Sequence, residues 1–231
     1  MGEHQRPKLF LALPSYGFQR YNTNPILQAL VGPKTFDEVI PEQCESSLLA
    51  HGFNTLWAHA LALRPQGLTH FLMLHADIVP VDVGWLNQLH QEMIRVGAQV
   101  LSVVVPYKGP QGLTTTAVDP PPVRRFTMKE IMAQPETFTH PDLLLNTGLM
   151  LVSLQEDWGF SRQARRLGVP LWATRKVRLT HVGIAHFPNF QDWGSQAYDV
   201  ECQAACQAAG REMPPLVTSA RQTNEGLSRP S

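Results

Sequence analysis

The segment Thr69-His-Phe-Leu-Met-Leu-His-Ala-Asp-Ile-Val-Pro80 decides the fold, because a short apolar run stops abruptly on two potential metal ligands, His75 and Asp77. Residues 71–74 are too few for a helix and are soon followed by Pro80, so they read as a buried strand. In an open α/β sheet the carboxyl ends of such strands line the ligand crevice, which puts His75 and Asp77 where chemistry is expected.

Strands and helices alternate on both sides of this segment. Upstream, the apolar residues 8–13 end in Pro14-Ser-Tyr-Gly17, and Asn24-Pro25 opens a helical pattern through Leu30. A second strand is expected over 36–40 and a helix over 46–63, closed by Arg64-Pro-Gln-Gly67. Downstream, Leu86, Leu89, His90, Met93 and Val96 share one face of a helix over 83–96, and 100–105 is a β-branched strand. Residues 106–122, rich in Pro, Gly and Thr without periodicity, read as a long loop, of a length that in compact domains is usually functional or mobile. Thr127-Met-Lys-Glu130 has capping-box spacing and opens a short helix ending near Pro135. Residues 143–154 turn apolar again around Asn146-Thr-Gly148, and 156–167 read as an amphipathic helix closed by Gly168. Short strands over 170–172 and 177–180 follow, the second ending on His181, and a last helix is expected over 196–209. The pattern is α/β with a largely parallel sheet. Residues 1–212 are expected to form one domain and 213–231 a polar, frayed tail.

Composition narrows the partners. The chain has 231 residues, enough for one substantial core, and its formal net charge of +0 provides no global field for nucleic acid or an anionic membrane. No run approaches the roughly 18 apolar residues of a membrane span. The apolar stretch after Arg6 and Lys8 is cut by Pro14 too early for a signal peptide, so the chain reads as unexported and cytoplasmic. Cys44, Cys202 and Cys206 include no Cys-x-x-Cys pair, which fits reduced structural thiols.

Four residues at or beyond strand ends, His75, Asp77, His181 and His186, are candidates for a shared site. Imidazole suits transition metals, whereas a carboxylate with phosphate oxygens suits magnesium or manganese, so two chemistries fit the same residues. The plain alternative is that His75 and His186 are hydrogen-bonded structural histidines. Glu156-Asp157 likewise reads two ways, as acidic residues complementing a helix N-terminus or as a general base.

In order, these pieces resemble nucleotide-sugar-dependent glycosyltransferases of the GT-A fold, most similar to the family-2-like enzymes. Phe10-Leu-Ala-Leu-Pro-Ser-Tyr-Gly17 resembles the family's first strand and nucleotide-contacting turn, which implies contacts from Pro14, Ser15 and Tyr16. The stretch from Glu45 to Ala58 resembles the helix bearing an Arg-Asn pair, with Phe53 in place of the arginine and Asn54 matching. His75-Ala-Asp77 stands at the family's Asp-x-Asp motif, His75 replacing the first aspartate and Asp77 keeping the metal-binding one. Asn146-Thr-Gly-Leu-Met-Leu-Val-Ser153 resembles the strand beside the acceptor pocket. Glu156-Asp157 and the residues after it resemble the Glu-Asp motif and its helix, and Val177-Arg-Leu-Thr-His-Val-Gly183 the closing strand whose histidine completes the metal shell.

The resemblance implies a GT-A, Rossmann-like mixed and mostly parallel sheet. It implies donor contacts from Pro14, Ser15, Tyr16, Asn54, His75, Ala76 and Asp77, a Mn2+ or Mg2+ ion on Asp77 and His181, and Asp157 with Glu156 as catalytic carboxylates. The donor is then a nucleoside-diphosphate sugar and the acceptor a hydroxyl of a saccharide, protein, small molecule or modified nucleic-acid base. Inversion follows if Asp157 is the base, and a retaining route stays open otherwise. Lys108, Arg124 and Arg125 flank the long loop, where phosphate contact and surface solvation are the two readings.

Two rivals remain. An idle sugar- or nucleotide-binding module of the same fold fits Phe53 and His75 at family-typical polar positions. An iron- and 2-oxoglutarate-dependent oxygenase fits His75-x-Asp77 with a distal histidine, but requires an all-β barrel.

Overall fold

In this computed structural model, residues 7–16, 23–31, 35–119, 123–154, 168–182 and 186–191 are described. The chain runs β1 (Lys8–Ser15), α1 (Thr23–Val31), β2 (Glu38–Glu45), α2 (Leu49–Leu63), β3 (His70–Leu74), β4 (Ile78–Pro80), α3 (Trp85–Val96) and β5 (Val100–Val103). It continues through β6 (Leu113–Val118), β7 (Arg124–Thr127), α4 (Met128–Ala133), β8 (Thr137–Thr139), β9 (Leu143–Leu144), β10 (Leu149–Ser153), β11 (Leu171–Thr174), β12 (Leu179–Val182) and β13 (His186–Pro188).

The architecture is α/β around a mixed seven-stranded sheet in the order β2-β1-β3-β10-β5-β11-β8. β2, β1 and β3 are mutually parallel, β10 runs antiparallel between β3 and β5, and β11 is parallel to β5. Two three-stranded sheets, β13-β12-β4 and β7-β6-β9, accompany it.

The central strands are apolar on both faces because both faces are covered. Leu9, Leu11 and Leu13 of β1 with Leu72 and Leu74 of β3 join Trp85, Leu89 and Met93 of α3 in one core. Phe10, Ala12, Phe71 and Met73 point the other way, against Leu56 and Ala60 of α2 and Val118 of β6. Each fully buried Leu, Phe or Met among them contributes roughly 1.5–3 kcal/mol.

Local signals set the boundaries. Gly67 (φ 89°) and Gly97 (φ 65°) take the left-handed conformation that stops the segments before them. At α4 both halves of the capping box form: Glu130 N–H donates to Thr127 Oγ1 at 3.1 Å and Thr127 N–H to Glu130 Oε2 at 2.8 Å.

Two expectations need correction. The stretch 106–122 is not a continuous loop, since β6 occupies Leu113–Val118. Its threonines are β-branched strand formers, and Thr114 Oγ1 lies 3.0 Å from the carbonyl oxygens of Thr116 and Phe126. The second strand lies at Glu38–Glu45 rather than over 36–40, because an edge strand tolerates Pro41 and alternating polar residues. The short strands β4, β7, β8 and β13 carry no periodicity long enough to announce them. The helices expected over 156–167 and 196–209, and the 213–231 tail, lie outside the described residues. Among the described residues no helix is long and apolar enough to cross a membrane.

Candidate functional site

β1 feeds β2 on one side and β3 on the other, so the chain reverses its winding between β1 and β3. At such a switch point α/β sheets take their ligands beyond the carboxyl ends of the strands. A cleft of about 290 Å³ lies there. Pro14, Ser15 and Tyr16 come from the end of β1, Cys44, Ser46 and Ser47 from the end of β2, Leu49 and Gly52 from the start of α2, and His75, Ala76 and Asp77 from the turn after β3. All but one of the residues expected to contact a donor therefore meet in one cleft. The exception is Asn54, which is exposed on α2, where Gly52, Leu56 and Ala60 face inward. Phe53 packs its ring against Trp57 and Phe71 at centroid distances of 5.8 Å.

Asp77 is presented by a turn, in which Ile78 N–H donates to His75 O at 3.1 Å. β4 starts immediately afterwards and pairs with β12, where His181 lies opposite Ile78 and Val182 N–H donates to Asp77 O at 2.9 Å. That ladder brings His181 Nε2 to 3.1 Å from Asp77 Oδ2 across 104 residues of sequence. The other ring nitrogen of His181, Nδ1, lies 2.7 Å from the carbonyl oxygen of Pro106. A carbonyl only accepts, so Nδ1 carries a hydrogen, and Nε2 is the ring nitrogen that faces Asp77.

The ammonium of Lys108 also pairs with Asp77 Oδ2. Partial burial works against the charge of Asp77, but the hydrogen bonds from His181 and Lys108 and their positive charge prevail and hold the carboxyl well below the usual carboxylate range. His75 behaves oppositely. Burial chiefly lowers it to about 4, with Asp77 opposing and His181 and Lys108 reinforcing the shift, so its ring is neutral near pH 7. Its backbone N–H donates to Gly148 O at 2.9 Å, and its Nε2 lies 3.4 Å from Thr147 Oγ1.

Among the described residues no group of three or more His, Cys, Asp or Glu side chains stands together as a metal cage. The Asp77–His181 pair nevertheless suits a divalent ion. Adjacent ligands about 2.1–2.2 Å from an octahedral ion lie roughly 3 Å apart, and water and substrate oxygens fill the remaining positions. A ligating histidine commonly donates its second N–H to a backbone carbonyl, as His181 does to Pro106.

His186 does not join this site. It lies opposite Val182 in the β12–β13 ladder whereas His181 lies opposite Phe187, and neighbouring strand positions face opposite ways. Arg124 and Arg125 are also committed elsewhere. Arg124 is buried on Glu130 at 2.6 Å, and the Arg125 guanidinium lies 5.1 Å over the Tyr107 ring. Glu156 and Asp157 lie outside the described residues.

Sequence reasoning missed Pro106, whose contribution is a backbone carbonyl, and Ser46 and Ser47, small polar residues at a strand end like Ser15. It also missed the buried Asn189, whose side chain accepts from Leu179 N–H and donates to the carbonyls of Val104 and Val177, tying the strand that bears His181 to the end of β5.

Comparison with known proteins finds no matching protein-family model and no matching curated protein. Among solved structures, the chain is similar to A197 from STIV, with 14% identity, a TM-score of 0.47, and coverage of 77% of this chain and 86% of that one. The overlap is too loose to bear on function. The sheet is α/β, not the all-β barrel that the oxygenase reading requires.

Proposed function

We propose that the chain is a glycosyltransferase of the GT-A type that takes a nucleoside-diphosphate sugar and Mn2+ or Mg2+, and that it works in the cytoplasm, where its cysteines stay reduced. The observation that carries this reading is the Asp77–His181 pair on the wall of a cleft at the β1/β3 switch point, the position where α/β sheets take nucleotides. Ser15, Ser46 and Ser47 provide small polar walls for a nucleoside, and the exposed Tyr16 ring stands at the rim.

Asp77 and His181 hold the ion, and Pro106 fixes the tautomer of His181. A divalent ion there supplies Lewis-acid neutralisation of a departing diphosphate. His75 borders the site as a neutral group and adds no repulsion toward phosphate. Asp157, beside Glu156, takes the proton of the acceptor hydroxyl as that oxygen attacks the anomeric carbon, which inverts the centre. The acceptor hydroxyl belongs to a saccharide, a protein, a small molecule or a modified nucleic-acid base.

The test is a thermal-shift panel of UDP-, GDP-, ADP- and TDP-sugars with and without Mn2+, since a ligand that binds only the folded chain raises its melting temperature. One nucleotide series stabilising the protein only with Mn2+ is the expected result. No shift with any of them refutes the donor assignment. Metal-dependent hydrolysis of the stabilising donor separates an enzyme from an idle binding module.

A further inference from the structure

Lys108 occupies the place where the site needs positive charge. Its ammonium contacts Asp77 Oδ2, the oxygen that also faces His181 Nε2 at 3.1 Å. The two side chains of this ion pair are 30% and 24% exposed, so ions from solvent reach it. The backbone beneath is fixed: Tyr107 N–H donates to Leu113 O at 2.7 Å, Pro106 bridges to Thr114, and Arg125 covers the Tyr107 ring. The turn is tight, with Gly109 N–H donating to Tyr107 O at 2.9 Å and Gly112 at φ 69°. The ammonium is therefore free to withdraw by rotation of its four-carbon stem while Pro106 keeps its grip on His181.

We infer that Lys108 is a resident counter-cation of the Asp77–His181 pair, holding the site in the metal-free protein and giving way by exchange when a divalent ion binds. The inference rests on the reading of that pair as the cation site. The ammonium and a divalent ion compete for the same carboxylate oxygen, Asp77 Oδ2, which an ion shared with His181 Nε2 must also take. The lysine supplies one charge to Asp77 alone, whereas a divalent ion supplies two and ligates both groups. The same turn thus orients one ligand through Pro106 and guards the other through Lys108. Metal affinity is set below what the two ligands would otherwise reach, because every ion that binds must break the lysine pair.

The exchange is read from Mn2+ dissociation constants, measured without donor by the electron paramagnetic resonance of free Mn2+, for the full chain and four variants. Lys108→Met and Lys108→Gln remove the charge, Lys108→Arg keeps it, and Asp77→Asn removes a ligand. Both neutral variants should bind Mn2+ on the order of tenfold tighter than the parent, the effect of losing a charge-assisted hydrogen bond that solvent partly screens. Lys108→Arg should stay near the parent. Using two neutral variants, each checked by thermal unfolding, keeps a folding defect in one from deciding the result. Equal or weaker affinity in the neutral variants overturns the exchange while leaving the metal reading intact. Absence of binding in every protein, or undiminished binding by Asp77→Asn, overturns both.

Discussion

Asp77 is the residue on which the other groups converge. It lines the cleft, bonds to His181 and carries the ammonium of Lys108, all within one turn after β3. Asp77→Asn preserves shape but removes the charge, so it should abolish Mn2+-dependent nucleotide binding by calorimetry and lower the melting temperature of a still folded chain, as Lys108 and His181 lose their charged partner; retained binding would place the ligand elsewhere. Asp157→Asn is expected to keep donor affinity and lower turnover by roughly 10²–10⁴-fold, the usual contribution of a general base. Near-parental turnover would point to a retaining route or another base. Much of this was legible because His75 and Asp77 end an apolar run and His181 ends another. The role of Lys108 was not, since a lysine in a Pro- and Gly-rich stretch carries no mark of its partner across 31 residues.

The pairing of β12 with β4 is what turns two distant residues into neighbours, and Asn189 holds β12 to the end of β5. Asn189→Ala leaves buried backbone groups unpaired and should cost about 1–3 kcal/mol in urea denaturation, with weaker Mn2+ affinity as His181 loosens. A stability loss without any change in metal affinity would separate Asn189 from the site. At the other end of β3, His70 lies 5.0 Å from His90 of α3, and both rings lie against Phe36. Burial, with His90 nearby, lowers His70 to about 4, and burial also lowers His90. Because these folded-state values lie below the unfolded value of 6.5, the unfolded chain binds more protons; stability present above pH 6.5 is lost as pH falls toward 4. The melting temperature should fall through that window, and His70→Phe should flatten part of the slope; a level profile would contradict the assignment. Long periodic elements such as α3 were readable from side-chain spacing. β4 and β13 were not, because three-residue strands are made by their partners rather than by their own pattern.

Taken together, the sheet order places the carboxyl ends of β1, β2 and β3 side by side, with the cleft over them and the start of α2 on its wall. Alternation of apolar strands with amphipathic helices made the α/β class readable, since strands buried on both faces must be apolar throughout. The antiparallel insertion of β10 between β3 and β5 was not readable, because strand direction depends on where the chain crosses the sheet rather than on local composition. The account stands or falls on whether the cleft and the Asp77–His181 pair form one binding site. An anomalous difference map from a crystal soaked with Mn2+ and a nucleoside diphosphate measures this. The predicted result is one metal peak about 2.0–2.3 Å from Asp77 Oδ2 and His181 Nε2, with the diphosphate on the metal and the nucleoside against Ser15 and Ser46. A metal bound away from those two atoms, or a nucleotide outside the cleft, would contradict it.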